Sequence, residues 1–125
     1  HHDRWASQDY DDILINLQNK INSDFNLKIN SCLVNKYNNG KDIIPPHKDN
    51  PVSFGEYPTI LIYSLGCTRR FILTNDITNE KHTFDLKPNS LFFMKGGSQK
   101  YYTHEITESD TLEKRYSLTF REYLT

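Results

Sequence analysis

The chain has 125 residues, of which 36% are hydrophobic and 13% aromatic. This length suits one compact domain with its own core, and the aromatic content favours packed β structure over disorder. Fifteen basic and sixteen acidic side chains leave a net charge of −1. General electrostatic attraction to a polyanion is therefore excluded, and any nucleic-acid binding must come from a local patch.

Cysteine content and hydropathy indicate the cellular compartment in which the protein is expected. Cys32 and Cys67 are the only cysteines, and they lie in separate segments without metal-ligand spacing, which is typical of reduced thiols inside cells. No run approaches the roughly 20 apolar residues that cross a bilayer. We therefore expect an intracellular protein, cytoplasmic or nuclear, that has no membrane partner.

The predicted elements begin with an amphipathic helix over Ser7–Ser23. Its apolar residues recur at spacings of three and four, which places them on one helical face: Ile13, Leu14, Leu17 and Ile21. After Lys28 the hydrophobic period changes to two, and segments rich in Val, Ile, Tyr, Phe and Thr alternate with turn residues. This change predicts that the rest of the chain forms strands.

Seven strands are predicted in this second part: Ser31–Tyr37, Thr59–Leu65, Arg70–Thr74, Lys81–Leu86, Ser90–Met94, Tyr102–Ile106 and Arg115–Tyr123. One helix followed by many short strands indicates a mainly β fold, an antiparallel sandwich or barrel. No repeat and no second change of composition divides the chain, so residues 1–125 are expected to form a single domain.

The most informative motif is His47-Lys48-Asp49. Residues two apart on an extended segment point to the same side, so His47 and Asp49 can bind one ion together. Two histidines and one carboxylate leave positions open on the metal, as in non-haem iron(II) oxygenases, and His104 is the leading candidate for the second histidine. Taken alone the tripeptide is a weak signal, because His and Asp are also common in loops.

The last predicted strand has an unusually polar face. Alternation sends Arg115, Ser117, Thr119 and Arg121 to one side and Tyr116, Leu118 and Phe120 to the other. An edge strand that shows its charged face to water is the alternative interpretation. A dicarboxylate such as 2-oxoglutarate needs a fixed guanidinium, a role that suits Arg115. Asn35 and Tyr37 share one face of the first strand and can add neutral hydrogen bonds.

Together these segments resemble the AlkB family of iron(II)- and 2-oxoglutarate-dependent dioxygenases. The resemblance spans residues 31–121 and follows the order Asn35-x-Tyr37, Gly40, His47-x-Asp49, Ser64-Leu65-Gly66-x-x-Arg69-x-Phe71, His104 and Arg115-x-Ser117-Leu118-Thr119-Phe120-Arg121. Agreement at several blocks in one order is far more specific than any one block. The resemblance implies a double-stranded β-helix, or jelly roll, with a flanking N-terminal helix.

The same resemblance implies the roles of individual residues. His47, Asp49 and His104 would ligate Fe(II), and Arg115 would bind the distal carboxylate of 2-oxoglutarate, assisted by Tyr37 and Asn35. Arg121 would pair with Asp49 or with the carboxylate of the cosubstrate nearer the metal. With O₂ as the third cofactor, the protein would be an oxidoreductase.

The activity implied is oxidative demethylation of N-methylated bases in RNA or DNA, with a role in repair and with release of succinate, CO₂ and formaldehyde. Only residues 1–34 precede the Asn35 motif in this sequence, so we expect the nucleotide-recognition lid of the family to be short or missing. Asn50-Pro51-Val52 stands where many members are acidic. A short lid and weak basicity favour single-stranded substrates, bound by a monomer.

Substrate contacts are expected at two sets of side chains. A basic rim is predicted from Arg69, Arg70, Lys95 and Lys100, with scattered solubilising charge as the alternative. Base stacking is predicted from Trp5, Tyr57 or Tyr102, with core packing as the alternative. Three rival functions stay open: a protein side-chain hydroxylase or demethylase with the same chemistry, a non-catalytic interaction module on the same fold, and a cupin-like metal-binding protein.

Overall fold

A computed structural model describes residues 3–4 and 12–124. This part of the chain forms nine strands, two α-helices and a 3-10 turn at Gly96–Ser98. The helices are α1 (Asp12–Phe25) and α2 (Pro51–Phe54). The strands are β1 (Asp3–Arg4), β2 (Ser31–Tyr37), β3 (Ile44–His47), β4 (Ile60–Gly66), β5 (Arg69–Asn75), β6 (Lys81–Leu86), β7 (Leu91–Met94), β8 (Tyr102–Ile106) and β9 (Arg115–Arg121).

All seven predicted strands are confirmed. The bounds of β2, β6 and β8 agree with the prediction, and those of the other four differ by one or two residues at an end. The predicted helix is confirmed from Asp12 onward, whereas its first residues, 7–11, lie outside the described part. Strand β3 was not predicted, because its Pro45 and Pro46 lack the backbone N–H that a central strand needs. It lies at a sheet edge, with a register irregularity between Ile44 and His47.

Two antiparallel sheets face each other, as expected for a double-stranded β-helix. The first has the strand order β1-β2-β9-β4-β7 and the second the order β3-β8-β5-β6. From β4 onward the chain crosses repeatedly between the two sheets. His47 and His104 lie in the second sheet, opposite the first sheet with strand β9, which carries Arg115 and Arg121. Among the described residues, no helix has the length and apolar character needed to cross a membrane.

The core has two layers, one on each side of the first sheet. Helix α1 covers the outer layer, which is built from Ile21, Ile29, Leu61, Leu118 and Phe120. The side chain of Asn22 holds the turn after the helix, since it accepts from the N–H of Ile29 and donates to its carbonyl. The inner layer lies between the sheets and includes Tyr37, Ile60, Phe71, Leu86, Met94 and Ile106.

Strand β9 lies in the middle of the first sheet, paired with β2 on one side and β4 on the other. The edge-strand alternative is therefore wrong. The apolar side of β9 faces helix α1, and its polar side faces the second sheet, where Arg115 and Ser117 are 1% and 2% exposed. A polar face buried between two sheets requires a chemical reason, because unpaired polar groups are unfavourable there.

Candidate metal and cosubstrate site

The structure brings His47, Asp49 and His104 together. One potential ligand atom from each lies within 4.8 Å of the others. Asp49 Oδ1 is 4.0 Å from His47 Nε2 and 3.8 Å from His104 Nε2. His47 ends β3 and is paired with His104 in β8, which places the two rings 4.2 Å apart. This spacing allows the three side chains to bind one ion from the same side.

The two imidazoles have different surroundings. His47 Nδ1 lies 3.0 Å from the Pro45 carbonyl, so the tautomer with its hydrogen on Nδ1 donates there and leaves the Nε2 lone pair towards Asp49. Burial, and secondarily the neighbouring His47, lower the pKa of His104 to about 4 despite the opposing effect of Asp49. A neutral ring is the form that binds a divalent metal.

The low pKa of His104 predicts a pH-dependent stability of the metal-free protein. The unfolded chain protonates this histidine near 6.5 and the folded chain only near 4, so the unfolded state holds more protons between these values. The free energy of unfolding should then be fully present above pH 6.5 and fall by roughly 3 kcal/mol as the pH approaches 4.

Urea unfolding at a series of pH values checks this expectation. The variant His104→Gln, neutral throughout, should lose this part of the pH dependence, whereas His82→Gln at an exposed position should keep it. If the free energy of unfolding changed equally with pH in the wild type and in His104→Gln, His104 would not be the source of the pH dependence.

Asp49 is held by Arg121, as the resemblance implies. The carboxylate side chain is 5% exposed, and the guanidinium contacts it through two nitrogens, Nε to Oδ2 and Nη2 to Oδ1, the latter over 3.2 Å. The guanidinium carbon of Arg121 lies 5.2 Å from the centre of the Phe54 ring in α2. A forked contact of this kind fixes the orientation of the carboxylate and compensates its charge.

Arg115 is buried with donors left over. Its Nη2 donates to Ser64 Oγ over 2.9 Å and the guanidinium is also hydrogen-bonded to Tyr37, while Nε and Nη1 have no hydrogen-bond partner within residues 3–4 and 12–124. A guanidinium in this state is unfavourable unless an acceptor arrives, and a carboxylate matches its planar fork. The environment of Arg115 therefore fits an anionic ligand such as the distal carboxylate of 2-oxoglutarate.

Asn35 and Tyr37 lie beside Arg115. The Tyr37 ring lies 4.9 Å from the guanidinium carbon of Arg115, and burial raises the pKa of Tyr37 despite hydrogen bonds to Ser117 and Arg115, so its hydroxyl stays protonated. Asn35 is 4% exposed, and its Oδ1 has no partner in the described ranges. Both line a cavity that is partly open to solvent, together with His47, His104, Arg115 and Arg121. Concave sites that combine apolar walls with a few polar groups are typical of small-ligand binding.

Ser64 belongs to this site and was not predicted. It is 1% exposed and accepts from Arg115, and register places it opposite Ser117 of β9. The alternation of side chains along β4 was the signal that could have identified it, because Ser64 follows Ile60 and Ile62 on the same face. A hydroxyl on a buried apolar face needs a hydrogen-bond partner.

Arg69 does not lie on a basic rim, so the rim prediction is wrong for this residue. It is 1% exposed and donates to four backbone carbonyls, those of Asn39, Gly40, Asp42 and Thr107, over 2.8 to 3.3 Å. A buried cation is tolerated where carbonyl oxygens surround it. Arg69 therefore joins the loop after β2 to the end of β8.

Replacing Arg69 with methionine should lower the free energy of unfolding by about 3 to 5 kcal/mol, because several buried carbonyls lose their donor at once. Chemical denaturation measures this effect. The neighbouring, exposed Arg70 supplies a matched control, and Arg70→Met should change stability by less than about 0.5 kcal/mol. Similar losses in the two variants would argue against the structural role of Arg69.

The fold and the site define the class: a jelly roll with a two-histidine, one-carboxylate cluster and a buried arginine at a neighbouring cavity. The model of the 2OG-Fe(II) oxygenase superfamily matches residues 4–121. The chain therefore belongs to the 2OG-Fe(II) oxygenase superfamily, whose members use Fe(II), 2-oxoglutarate and O₂.

Named relatives confirm the AlkB type within this superfamily. The bovine alpha-ketoglutarate-dependent dioxygenase alkB homolog 3 is 33% identical over 119 residues, covering 87% of this chain and 42% of that protein. The DNA oxidative demethylase ALKBH2 of Arabidopsis thaliana is 27% identical over 118 residues, covering 75% of this chain and 38% of that protein. The structure of OsALKBH1 superposes with a TM-score of 0.57 at 20% identity, covering 77% of this chain and 49% of that one. The chain thus spans less than half the length of these proteins.

Proposed function

We propose that this chain binds Fe(II) through His47, Asp49 and His104 and removes N-methyl groups from nucleobases in single-stranded nucleic acid. The observation that carries the proposal is the clustering of these three side chains within 4.8 Å at a cavity that also contains the under-bonded Arg115. Bound Fe(II) with 2-oxoglutarate and O₂ would supply the oxidation that releases the methyl carbon as formaldehyde, with succinate and CO₂ as coproducts.

The protein's own part is binding and orientation. Arg115 would bind the distal carboxylate of 2-oxoglutarate with the donors that have no partner in the described part of the chain, and the protonated hydroxyl of Tyr37 and the side chain of Asn35 would add neutral hydrogen bonds. Arg121 keeps Asp49 turned towards the two histidines. Ile60, Ile62, Phe71 and Met94 contribute apolar walls to the cavity.

A non-catalytic module is the less suitable interpretation. Unmade hydrogen bonds at a buried Arg115 lower stability without benefit in a pure scaffold. A cupin-like protein that binds only a metal is less suitable for the same reason, because such a site does not need a dicarboxylate clamp. A protein substrate keeps the same chemistry and is an arm of the test below.

An exposed aromatic cluster beside the ligand segment supports a nucleobase substrate. Tyr57 and Tyr101 are 54% and 48% exposed, and their hydroxyls lie 3.3 Å apart. The ammonium of Lys100 lies 5.0 Å from the centre of the Tyr57 ring. Exposed rings beside a cation suit base stacking. Tyr102 instead packs against the inner core, and Trp5 lies outside the described residues.

The charges around this cluster favour single strands. Lys100 pairs with Glu56 and Lys48 with Asp76, so neither lysine contributes a free positive charge to a duplex backbone. Binding that depends on stacking more than on phosphate contacts suits bases that are already unpaired. The Arabidopsis relative carries the name of a DNA demethylase, which supports nucleic acid as the substrate class.

Truncating both tyrosines tests their part in substrate binding. Tyr57→Ala with Tyr101→Ala should raise the KM for a methylated oligonucleotide by about tenfold or more, since stacking contributes roughly 1 to 3 kcal/mol per base. The KM for 2-oxoglutarate should stay at the wild-type value. Leu112→Ala, at a residue that is 89% exposed in the loop before β9, is the control. An unchanged oligonucleotide KM would remove the cluster from the substrate path.

The proposed function is tested by supplying Fe(II), 2-oxoglutarate and O₂ with three substrates: a methylated single strand, its annealed duplex and a methylated histone-tail peptide. Succinate and formaldehyde should form together, fastest with the single strand. A faster reaction of the duplex would contradict the strand preference, and turnover of the peptide alone would replace the nucleic-acid assignment by the protein-hydroxylase alternative.

A further inference from the structure

The β-sheet does not hold the three members of the His-Asp-His cluster equally. His47 and His104 are ladder partners across β3 and β8, so backbone pairing sets their separation. Asp49 lies two residues beyond the end of β3, and no ladder pair in the described part of the chain includes it. The place of its backbone therefore depends on contacts other than sheet pairing.

Residues 99 and 100, just before β8, provide such contacts. Gln99 Nε2 donates to the Asp49 carbonyl over 3.4 Å, and Lys48 Nζ donates to the Lys100 carbonyl over 2.6 Å. Neighbouring residues of an extended segment point to opposite sides. Lys48 can therefore reach this loop while His47 and Asp49 face the site.

Two further contacts connect this arrangement to a third segment. Lys48 also pairs with Asp76 in the turn after β5, and the backbone N–H of Asp76 donates to the Tyr101 carbonyl over 3.0 Å. The three segments around residues 48, 76 and 100 are thus joined in a closed set of contacts.

Gln99 is an unusual residue for a purely structural position. It is 4% exposed, and its Oε1 has no hydrogen-bond partner among the residues described. A buried amide with an unmade hydrogen bond is less stable than an apolar side chain of similar size. The contact of its amide nitrogen with Asp49 is the feature that explains a glutamine there.

We propose that Gln99 and Lys48 are positioning residues. They form a brace between the Asp49 segment and the strand that carries His104, and the brace sets the spacing between these two ligands. This inference rests on the metal site proposed above and adds two residues that act through the backbone of the ligand segment. Contacts behind the ligands of a metal site commonly change its affinity by about 10 to 100-fold.

The test uses Co(II) as an air-stable probe of the metal site. Gln99→Met and Lys48→Met keep similar length and remove the donors, so each should raise the Kd for Co(II) by about 10 to 100-fold and alter the visible ligand-field spectrum. Lys48→Arg retains a donor towards both oxygens and should restore most of the affinity. Lys20→Met is the matched control, since this exposed lysine of α1 pairs with Asp24 on the same helix.

Unfolding measured without metal separates positioning from simple stability. A merely structural role would lower the unfolding midpoint and leave the Co(II) affinity and spectrum of the folded protein at wild-type values, which would overturn the brace alone. Absence of Co(II) binding by the wild type would overturn the metal site itself, and the brace with it.

Discussion

Replacing Asp49 with alanine is expected to reduce turnover of 2-oxoglutarate at least about 1,000-fold, equivalent to about 4 kcal/mol of transition-state stabilisation. Asp49 is the only carboxylate of the cluster among the described residues, and without it two neutral imidazoles would face a divalent cation. The measurement is succinate formation under saturating Fe(II), with Co(II) binding as the second readout. The variant should lose both succinate formation and Co(II) binding.

Loss of Asp49 also removes the partner of Arg121, so folding must be checked independently. Asp49→Asn keeps the size of the side chain and its hydrogen-bonding groups, and it should lose activity while remaining folded. Asp110→Ala, at an exposed aspartate in the loop before β9, should stay fully active. Substantial activity in a folded Asp49→Asn protein would argue that the metal, if bound, is held elsewhere.

Replacing Arg115 with lysine should raise the KM for 2-oxoglutarate by about 100-fold and leave the Kd for Co(II) unchanged. Lysine preserves the charge but lacks the planar fork, so the paired contact with a carboxylate is lost, an effect of roughly 1.5 to 3 kcal/mol. The separation is possible because Arg115 lies on the first sheet, whereas His47 and His104 lie on the second. Initial rates at varied 2-oxoglutarate, together with a Co(II) titration, measure the two effects.

Arg70→Lys is the matched control for this substitution, because Arg70 is exposed. It should leave both constants at wild-type values. A normal KM for 2-oxoglutarate in Arg115→Lys would mean that the buried guanidinium serves the fold rather than the cosubstrate. Its unmade hydrogen bonds at Nε and Nη1 would then need another explanation.

Local pattern was sufficient for seven of the nine described strands and for much of the site. Strands β2, β6 and β8 combine alternation with clear turn residues, and their bounds follow from these signals. His47 and Asp49 are two residues apart, which placed them on one side of an extended segment. Arg115 and Arg121 are six residues apart, which placed them on one face of β9. The structure brings His47, Arg115 and Arg121 to a common cavity. The Asp49 carboxylate contacts Arg121 and lies 4.0 Å from His47 Nε2.

Long-range pairing accounts for what local pattern missed. Whether β9 is central or at an edge depends on β2 and β4, which lie far away in sequence. Arg69 resembles any surface arginine until the loop carbonyls around it are known. Strand β3 was missed because Pro45 and Pro46 argue against a strand in the sequence. Its pairing with β8 also includes a register irregularity, which a periodic pattern does not reveal.

The two layers of the fold explain why the site forms where it does. Helix α1 and the outer layer bury one face of the first sheet with apolar contacts alone. The opposite face is then free to combine an apolar wall with Arg115, Ser117 and Asn35, all of which are nearly fully buried. Burial strengthens the interaction of these groups with a charged ligand, because less water competes for them.

The most direct test of the whole account is anaerobic addition of Fe(II) and 2-oxoglutarate, followed by visible absorption. A charge-transfer band should appear in the wild type only when both are present, because it requires the keto acid to bind the metal. The band should be absent in Asp49→Ala and should need far more 2-oxoglutarate in Arg115→Lys. A wild-type protein that shows no band with both ligands at saturation would contradict the joint metal and cosubstrate site.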